Sequence, residues 1–293
     1  MATTAEWIEG ARPRTLPAAF APIAVGVGIA VGAGAFNAFR SLLALIVAVA
    51  LQIGVNYSND YSDGIRGTDR VRVGPVRLVG QGLAQPRAVR RAAFTFFGIA
   101  MLAGTLLVAS TAQWWLFAVG AASVAAAWFY TGGSRPYGYA GLGELFVFIF
   151  FGVVPVMGTA YVQTLQLSFV SLWAGVGVGA LACAILIANN LRDIPGDTEH
   201  GKNTLAVRLG DPATRRLFYV TLMVGFGVPV VTAVLVTPFT LLAFLSLPLA
   251  IQPIRVVARG ALGPALIPVL KSTGILLLFY GITFGLGFGL GGL

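Results

Sequence analysis

The chain holds one cysteine, Cys183, and one histidine, His200, in 293 residues. A disulfide framework is therefore excluded, and so is a thiolate or imidazole metal centre, which needs several such ligands. Charge is also scarce: Asp, Glu, Lys and Arg make up 10% of the residues, against roughly 25% in an ordinary soluble domain. Apolar residues reach 57%, and a chain this greasy and this poor in charge predicts an integral membrane protein. The length would suggest two soluble domains, but that rule yields to a count of spanning segments, and we expect one membrane domain over residues 1–293.

Nine apolar stretches of about twenty residues, the length that carries an α-helix across a bilayer, fall at 16–35, 41–59, 92–110, 114–130, 142–161, 170–190, 217–236, 239–257 and 267–290. They predict an all-α membrane protein of nine transmembrane helices in one bundle around a central cavity. The first follows Arg12 and Arg14 as a secretory signal would, but it exceeds a signal core and is read as a retained span. With nine spans the loops alternate sides, and eighteen of the nineteen basic residues share the side of the N-terminus, leaving only Arg40 opposite. The positive-inside tendency then makes the N-terminus cytoplasmic, in a cell's inner (plasma) membrane, with the acidic stretches on the cytoplasmic face. The net charge of +9 suits anionic lipid head groups and phosphorylated substrates; topology explains it without nucleic acid.

Six of the ten acidic residues stand in two short stretches, 59–69 and 189–199, each at the end of an apolar run. In the first, Asn59 and Asp63 are four apart and Asp60 and Asp63 three apart, so they share one helical face. Gly64 and Gly67 let the backbone leave the helix, and Asp69 arrives from the following loop. Carboxylates at the negative end of a helix oppose its dipole and call for a cation. The second stretch repeats the spacing with Asn189, Asp193 and Asp197, but Pro195, which usually breaks or restarts a helix, leaves two arrangements open: Asp193 and Asp197 on either side of a bend, or convergent on one face. Few oxygen ligands per stretch suit magnesium, which fills its other positions with water and phosphate. Arg192 and Lys202 are placed to contact diphosphate oxygens. His200 reads as a solvated loop residue, Cys183 as packing, and the pairs Gly28/Gly32, Gly175/Gly179 and Gly281/Gly285 as close helix contacts. Segments 74–80 and 204–210 show a faint internal echo.

An Asn-Asp-x-x-Asp stretch after the second span, paired with Asp-x-x-x-Asp after the sixth, resembles the UbiA-type intramembrane prenyltransferases over nearly the whole chain. The commonest form of that superfamily has an acid four residues after Asp63, where this chain has Gly67 and delays its acid to Asp69. The departure resembles the 1,4-dihydroxy-2-naphthoate prenyltransferase branch. So do Ala11-Arg12-Pro13-Arg14-Thr15-Leu16-Pro17, Tyr130-Thr131-Gly132 and Asn189-Asn190-Leu191-Arg192-Asp193.

The resemblance implies transfer of a polyprenyl group from polyprenyl diphosphate to 1,4-dihydroxy-2-naphthoate with loss of the ring carboxylate, giving demethylmenaquinol for menaquinone synthesis. It implies magnesium held by Asn59, Asp63, Asn189, Asp193 and Asp197. Asp60 and Asp69 become further acids for ring positioning, proton handling or support. Arg12, Arg72, Arg77, Arg192 and Lys202 would neutralise diphosphate or the acceptor carboxylate, with Tyr130 and Thr131 lining the diphosphate pocket. A long isoprenoid tail prefers hydrocarbon, which explains the lipid bilayer as a partner; Phe146, Phe148, Phe150 and Phe151 are candidates to line its route. Another acceptor, such as 4-hydroxybenzoate, a tocopherol precursor or haem, stands as the alternative. A transporter would hold its acids near the midplane in broken helices, and the Asp-Gly-x-x-Ala-Arg pattern of a CDP-alcohol phosphotransferase fails at Ile65-Arg66-Gly67-Thr68.

Overall fold

The computed structural model describes residues 2–67 and 76–293, so Asp69 and Arg72 lie outside the described residues. Those described form helices and connecting turns, with no strand among them. In chain order they are α1 (Thr4–Gly10), α2 (Pro17–Gly32), α3 (Ala38–Arg66), α4 (Pro86–Thr111), α5 (Leu116–Phe129) and α6 (Gly143–Thr164). After them come α7 (Phe169–Glu199), the short α8 (Leu205–Leu209), α9 (Asp211–Leu235), α10 (Pro238–Ala258) and α11 (Gly263–Gly291).

Local chemistry sets the ends of the helices that matter here. Asn37 starts α3 by accepting the Arg40 N–H at 3.0 Å, and Ser168 starts α7 by accepting the Ser171 N–H at 3.1 Å. Gly67 ends α3 at φ 76°, a left-handed conformation that a side chain would strain. Helix α6 holds a π turn over Ile149–Val153, just ahead of Pro155, whose missing N–H cannot continue the regular ladder.

Seven helices, α3, α4, α6, α7, α9, α10 and α11, are long and apolar enough to cross a membrane. The segment Thr4–Thr15 joins α2 across a 49° bend and makes an eighth if the two count as one span. The stretch 114–130, expected as a further span, forms the 14-residue α5, about 21 Å of helix, shorter than the seven; it runs from beside Ser110, bonded to Arg40 at one end of the bundle, to Thr131, bonded to Asn59 at the other. Turns around Gln113–Trp115 delay its start, and Tyr130-Thr131-Gly132 leaves the helix early. Helix α7 is the axis of the bundle: 67% of its most apolar window is buried, against 44% for α11.

Glycine lets these helices meet backbone to backbone, as the sequence spacing predicted. A Cβ on Gly28 would lie 2.0 Å from the Gly285 carbonyl oxygen, and one on Gly152 would lie 2.3 Å from the Gly179 Cα. Thus α2 closes on α11 and α6 on α7. At the N-terminal end of α3, Arg40 donates to the carbonyls of Val162 (2.9 Å) and Ser110 (2.7 Å). Beside it the Asn37 N–H reaches the Gln163 side chain at 2.8 Å. That end of the bundle is closed by hydrogen bonds to main chain.

Candidate functional site

The other end of α3 carries the first acidic stretch. Asp63, 3% exposed, accepts the Tyr139 hydroxyl at 2.5 Å and lies 3.5 Å from the Lys202 Nζ. That ammonium also stands 4.5 Å from the centre of the Tyr139 ring, and the Arg66 guanidinium 5.4 Å from it, as cations sit over an aromatic face. Arg66 donates to the carbonyls of Thr131 and Gly133, and the Thr131 hydroxyl donates to Asn59 Oδ1 at 2.8 Å. Asn59, Asp63, Thr131 and Lys202 are therefore brought together.

Asp60 is used differently. It is 1% exposed, and its two oxygens accept the backbone N–H groups of Leu78 (2.7 Å) and Val79 (3.2 Å). Of the roles expected for it, this geometry supports bracing: Asp60 ties the chain beyond residues 68–75 back onto α3. The fit is tight, since a Cβ on Gly64 would meet the Val79 Cβ at 2.5 Å. Arg77, 5% exposed, is carried by the same braced segment.

In the second stretch the structure selects one of the two arrangements left open at Pro195. Helix α7 continues through Pro195 to Glu199, so Asn189, Asp193 and Asp197 share one face instead of flanking a break. The proline forfeits one helical hydrogen bond, but the last turn is closed behind it, with His200 N–H on the Gly196 carbonyl (3.1 Å) and Lys202 N–H on the Asp197 carbonyl (2.8 Å). The Arg192 guanidinium grips this face: Nε to Asp193 Oδ1 at 2.7 Å, and Nη2 to Asp193 Oδ2 at 2.8 Å and Asn189 Oδ1 at 2.9 Å. Such forked, charge-assisted contacts fix both partners. Asp197 is 7% exposed, His200 is exposed, and Cys183 is buried against the Glu144 carbonyl at 3.1 Å.

Several contributors escaped the sequence reading. Tyr139 bonds a carboxylate 76 residues away, a separation that carries no signal. Asn190 donates to Glu144 Oε1 at 2.9 Å, a buried pair locking α7 to α6. Tyr130 lies edge-on to Tyr137 at 5.5 Å, and Tyr137 stacks on Phe146 at 3.9 Å; burial pushes the Tyr137 hydroxyl above the ordinary phenol range, so it stays a neutral donor. Phe146 and Phe150 extend this stack at 5.9 Å, while Phe148 and Phe151 pack on the core around α7.

Magnesium can be tested against these donors. They are carboxylate and amide oxygens, the ligands of a hard cation. No three His, Cys, Asp or Glu side chains cluster as a metal site among the described residues. One or two carboxylates per helix end, helped by Asn59 and Asn189, fit an ion that keeps water and takes the rest of its shell from phosphate.

A bundle of apolar helices with two acid- and amide-bearing helix ends joined through one lysine has the frame of an integral membrane enzyme. The UbiA prenyltransferase family model matches residues 19–262, and the chain belongs to that family. It is 54% identical to the 1,4-dihydroxy-2-naphthoate octaprenyltransferase of Mycobacterium tuberculosis, covering 96% of each chain. It is 40% identical to the protein of that name from Escherichia coli, covering 92% of this chain and 90% of that one. The fold is similar to that of a UbiA homolog from Archaeoglobus fulgidus bound to GPP and Mg2+, with a TM-score of 0.69 at 13% identity over 95% of this chain and 99% of that one.

Proposed function

We propose that this protein transfers a polyprenyl group from polyprenyl diphosphate to 1,4-dihydroxy-2-naphthoate in menaquinone synthesis. The observation that carries the reading is the contact of Lys202, just beyond the second stretch, with Asp63 in the first. It brings both polar helix ends to one place, in a chain whose relatives at 31–54% identity bear that activity in their names.

The residues divide the work. Asn59 and Asp63 on α3, with Asn189, Asp193 and Asp197 on α7, would hold magnesium, which when bound offsets the charge of the diphosphate. Lys202 and Arg192, with Arg12 and Arg77, meet the diphosphate oxygens and the acceptor carboxylate, and Thr131 fixes the Asn59 carbonyl that faces them. The prenyl C–O bond breaks with the electron pair leaving on diphosphate. The electron-rich ring bonds to the allylic carbon, and the ring carboxylate departs as carbon dioxide. Tyr130, Tyr137 and Phe146 supply an apolar aromatic wall that keeps water from the allylic cation. Asp69 and Arg72 belong to the same proposal by position in the sequence alone. We place the site at the cytoplasmic face of the inner membrane, with the N-terminus inside and α5 and the bent α1–α2 pair completing nine membrane helices in a single domain.

The test is purified protein with one radiolabelled prenyl diphosphate and a panel of ring acceptors. Prenylated product is expected with 1,4-dihydroxy-2-naphthoate, lost with excess chelator and recovered with magnesium. Product with 4-hydroxybenzoate alone would reassign the acceptor, and full turnover in chelator would sink the metal role.

A further inference from the structure

Gln52 and Asn56 stand on α3 at four-residue spacing, one turn ahead of Asn59 and Asp60. They are 5% and 3% exposed. A buried amide is costly unless it is hydrogen-bonded, so its partners reveal what it is for. Both serve one elbow of chain between α1 and α2. Asn56 Nδ2 donates to the Ala11 carbonyl at 2.9 Å and to the Thr15 hydroxyl at 3.0 Å. Gln52 Nε2 donates to the same hydroxyl at 2.7 Å.

The Thr15 hydroxyl in turn donates to the Arg12 carbonyl at 2.9 Å. A hydroxyl has one proton and two lone pairs, so this one is saturated: two amides in, one carbonyl out. The Arg12 carbonyl also accepts the Thr15 N–H at 2.9 Å. Between these anchors Arg12 adopts φ 54° and ψ 66°, the left-handed region that a non-glycine residue avoids. Pro13 follows it, and a residue before proline is restricted further. Such a conformation persists only where its surroundings over-determine it, and it is worth holding where a side chain must be aimed. The chain at Arg12 is thus fastened to the turn of α3 that precedes Asn59 and Asp60, and the Arg12 Nε and Nη2 atoms are buried.

We propose that Gln52, Asn56 and Thr15 are positioning residues, holding the Ala11–Thr15 elbow so that the strained Arg12 backbone aims its guanidinium at the diphosphate of the bound prenyl donor. The inference rests on the prenyl-transfer reading above. It adds to the acidic stretch a second function for the same helix: α3 carries donors for the metal at its end and, one turn back, the amides that set the arginine facing them.

The experiment is a double-mutant cycle on the full-length protein, with KM for prenyl diphosphate and kcat measured at saturating acceptor and magnesium. Asn56→Leu keeps the branched shape and heavy-atom count and removes both donors; it is expected to raise KM roughly tenfold, the worth of one charge-assisted hydrogen bond that a misplaced guanidinium no longer makes, with kcat within about twofold. Arg12→Ala should raise KM at least as much. If Asn56 acts through Arg12, adding Asn56→Leu to Arg12→Ala changes KM by less than about twofold. Thr15→Ser, which keeps the hydroxyl, should match wild type, whereas Thr15→Val should resemble Asn56→Leu and takes its place in the cycle if that variant does not fold. Multiplicative effects in the double variant, or unchanged KM in both Asn56→Leu and Thr15→Val, overturn the proposal. Absence of prenylated product from the wild-type protein would instead overturn the functional reading on which it rests.

Discussion

Arg40 and Arg192 stand at opposite ends of the bundle, and their partners differ in kind. Arg40 spends its guanidinium on the carbonyls of Ser110 and Val162, which ties the ends of α4 and α6 to the start of α3. Arg192 spends its own on the side chains of Asp193 and Asn189. Carbonyls in the last turn of a helix have no donor within their own helix, and here Arg40 supplies one from another. In the proposed reaction, a carboxylate held by an arginine, a lysine or a tyrosine would exchange that partner for a metal or a diphosphate-bound metal. One end of the molecule is held through main-chain carbonyls, while the other pairs charged and amide side chains that the proposed reaction would re-partner.

The comparison can be broken most decisively at the acid-bearing end. Asp63→Asn and Asp193→Asn each keep volume and remove charge, and each is expected to lower kcat at least ~100-fold while leaving an inserted, folded protein. Near-normal turnover of both at saturating magnesium and prenyl diphosphate would mean that these carboxylates only finish helices, as asparagine would do as well.

Cysteine labelling in intact cells, in a Cys183→Ser background, tests that the two ends face opposite compartments. Positions Gln85 and His200, both exposed, should label only from the cytoplasm. Gln163 is 6% exposed and bonded to Asn37, so the outer position is the neighbouring exposed Gln166, which should label only from outside. Both sets reacting from one side would refute the topology.

The smallest effect belongs to the closed end. Arg40→Ala should cost about 2 kcal/mol of stability, the order expected for charge-assisted bonds to two carbonyls, read as a lowered melting midpoint in detergent. The folded fraction should turn over normally. A fall in kcat at equal folded protein would show that the ends are coupled and that the contrast drawn between them is too sharp.

How much of the molecule is legible in its sequence depends on how local the cause is. The apolar runs, the crowded acids and the glycine spacings are consequences of side chains acting on their own helix or on whatever neighbour it meets, so they are visible in one dimension. Span lengths are less so: residues 114–130 are as apolar as their neighbours, yet turns at each end shorten α5 to 14 residues. Pro195 breaks less than its chemistry suggests, because its neighbours 196–202 close the helix behind it. The echo between 74–80 and 204–210 does not extend to local structure, since 205–209 is helical while 77–80 is a turn braced by Asp60.

By itself, then, the sequence determined an all-helical membrane protein and its two acid-bearing helix ends, because hydrophobicity and helical spacing are carried by each residue. Tertiary structure alone decided which acid braces the backbone and which faces Lys202 and Tyr139. It also decided that Glu144 locks Asn190 and that two buried amides on α3 hold the elbow at Arg12. Those are contacts between residues from 18 to 139 positions apart, Asp60 with Leu78 at the short end and Asp63 with Lys202 at the long one, and a side chain's role at such a contact is set by the partner that packing delivers to it, which no spacing along the chain encodes.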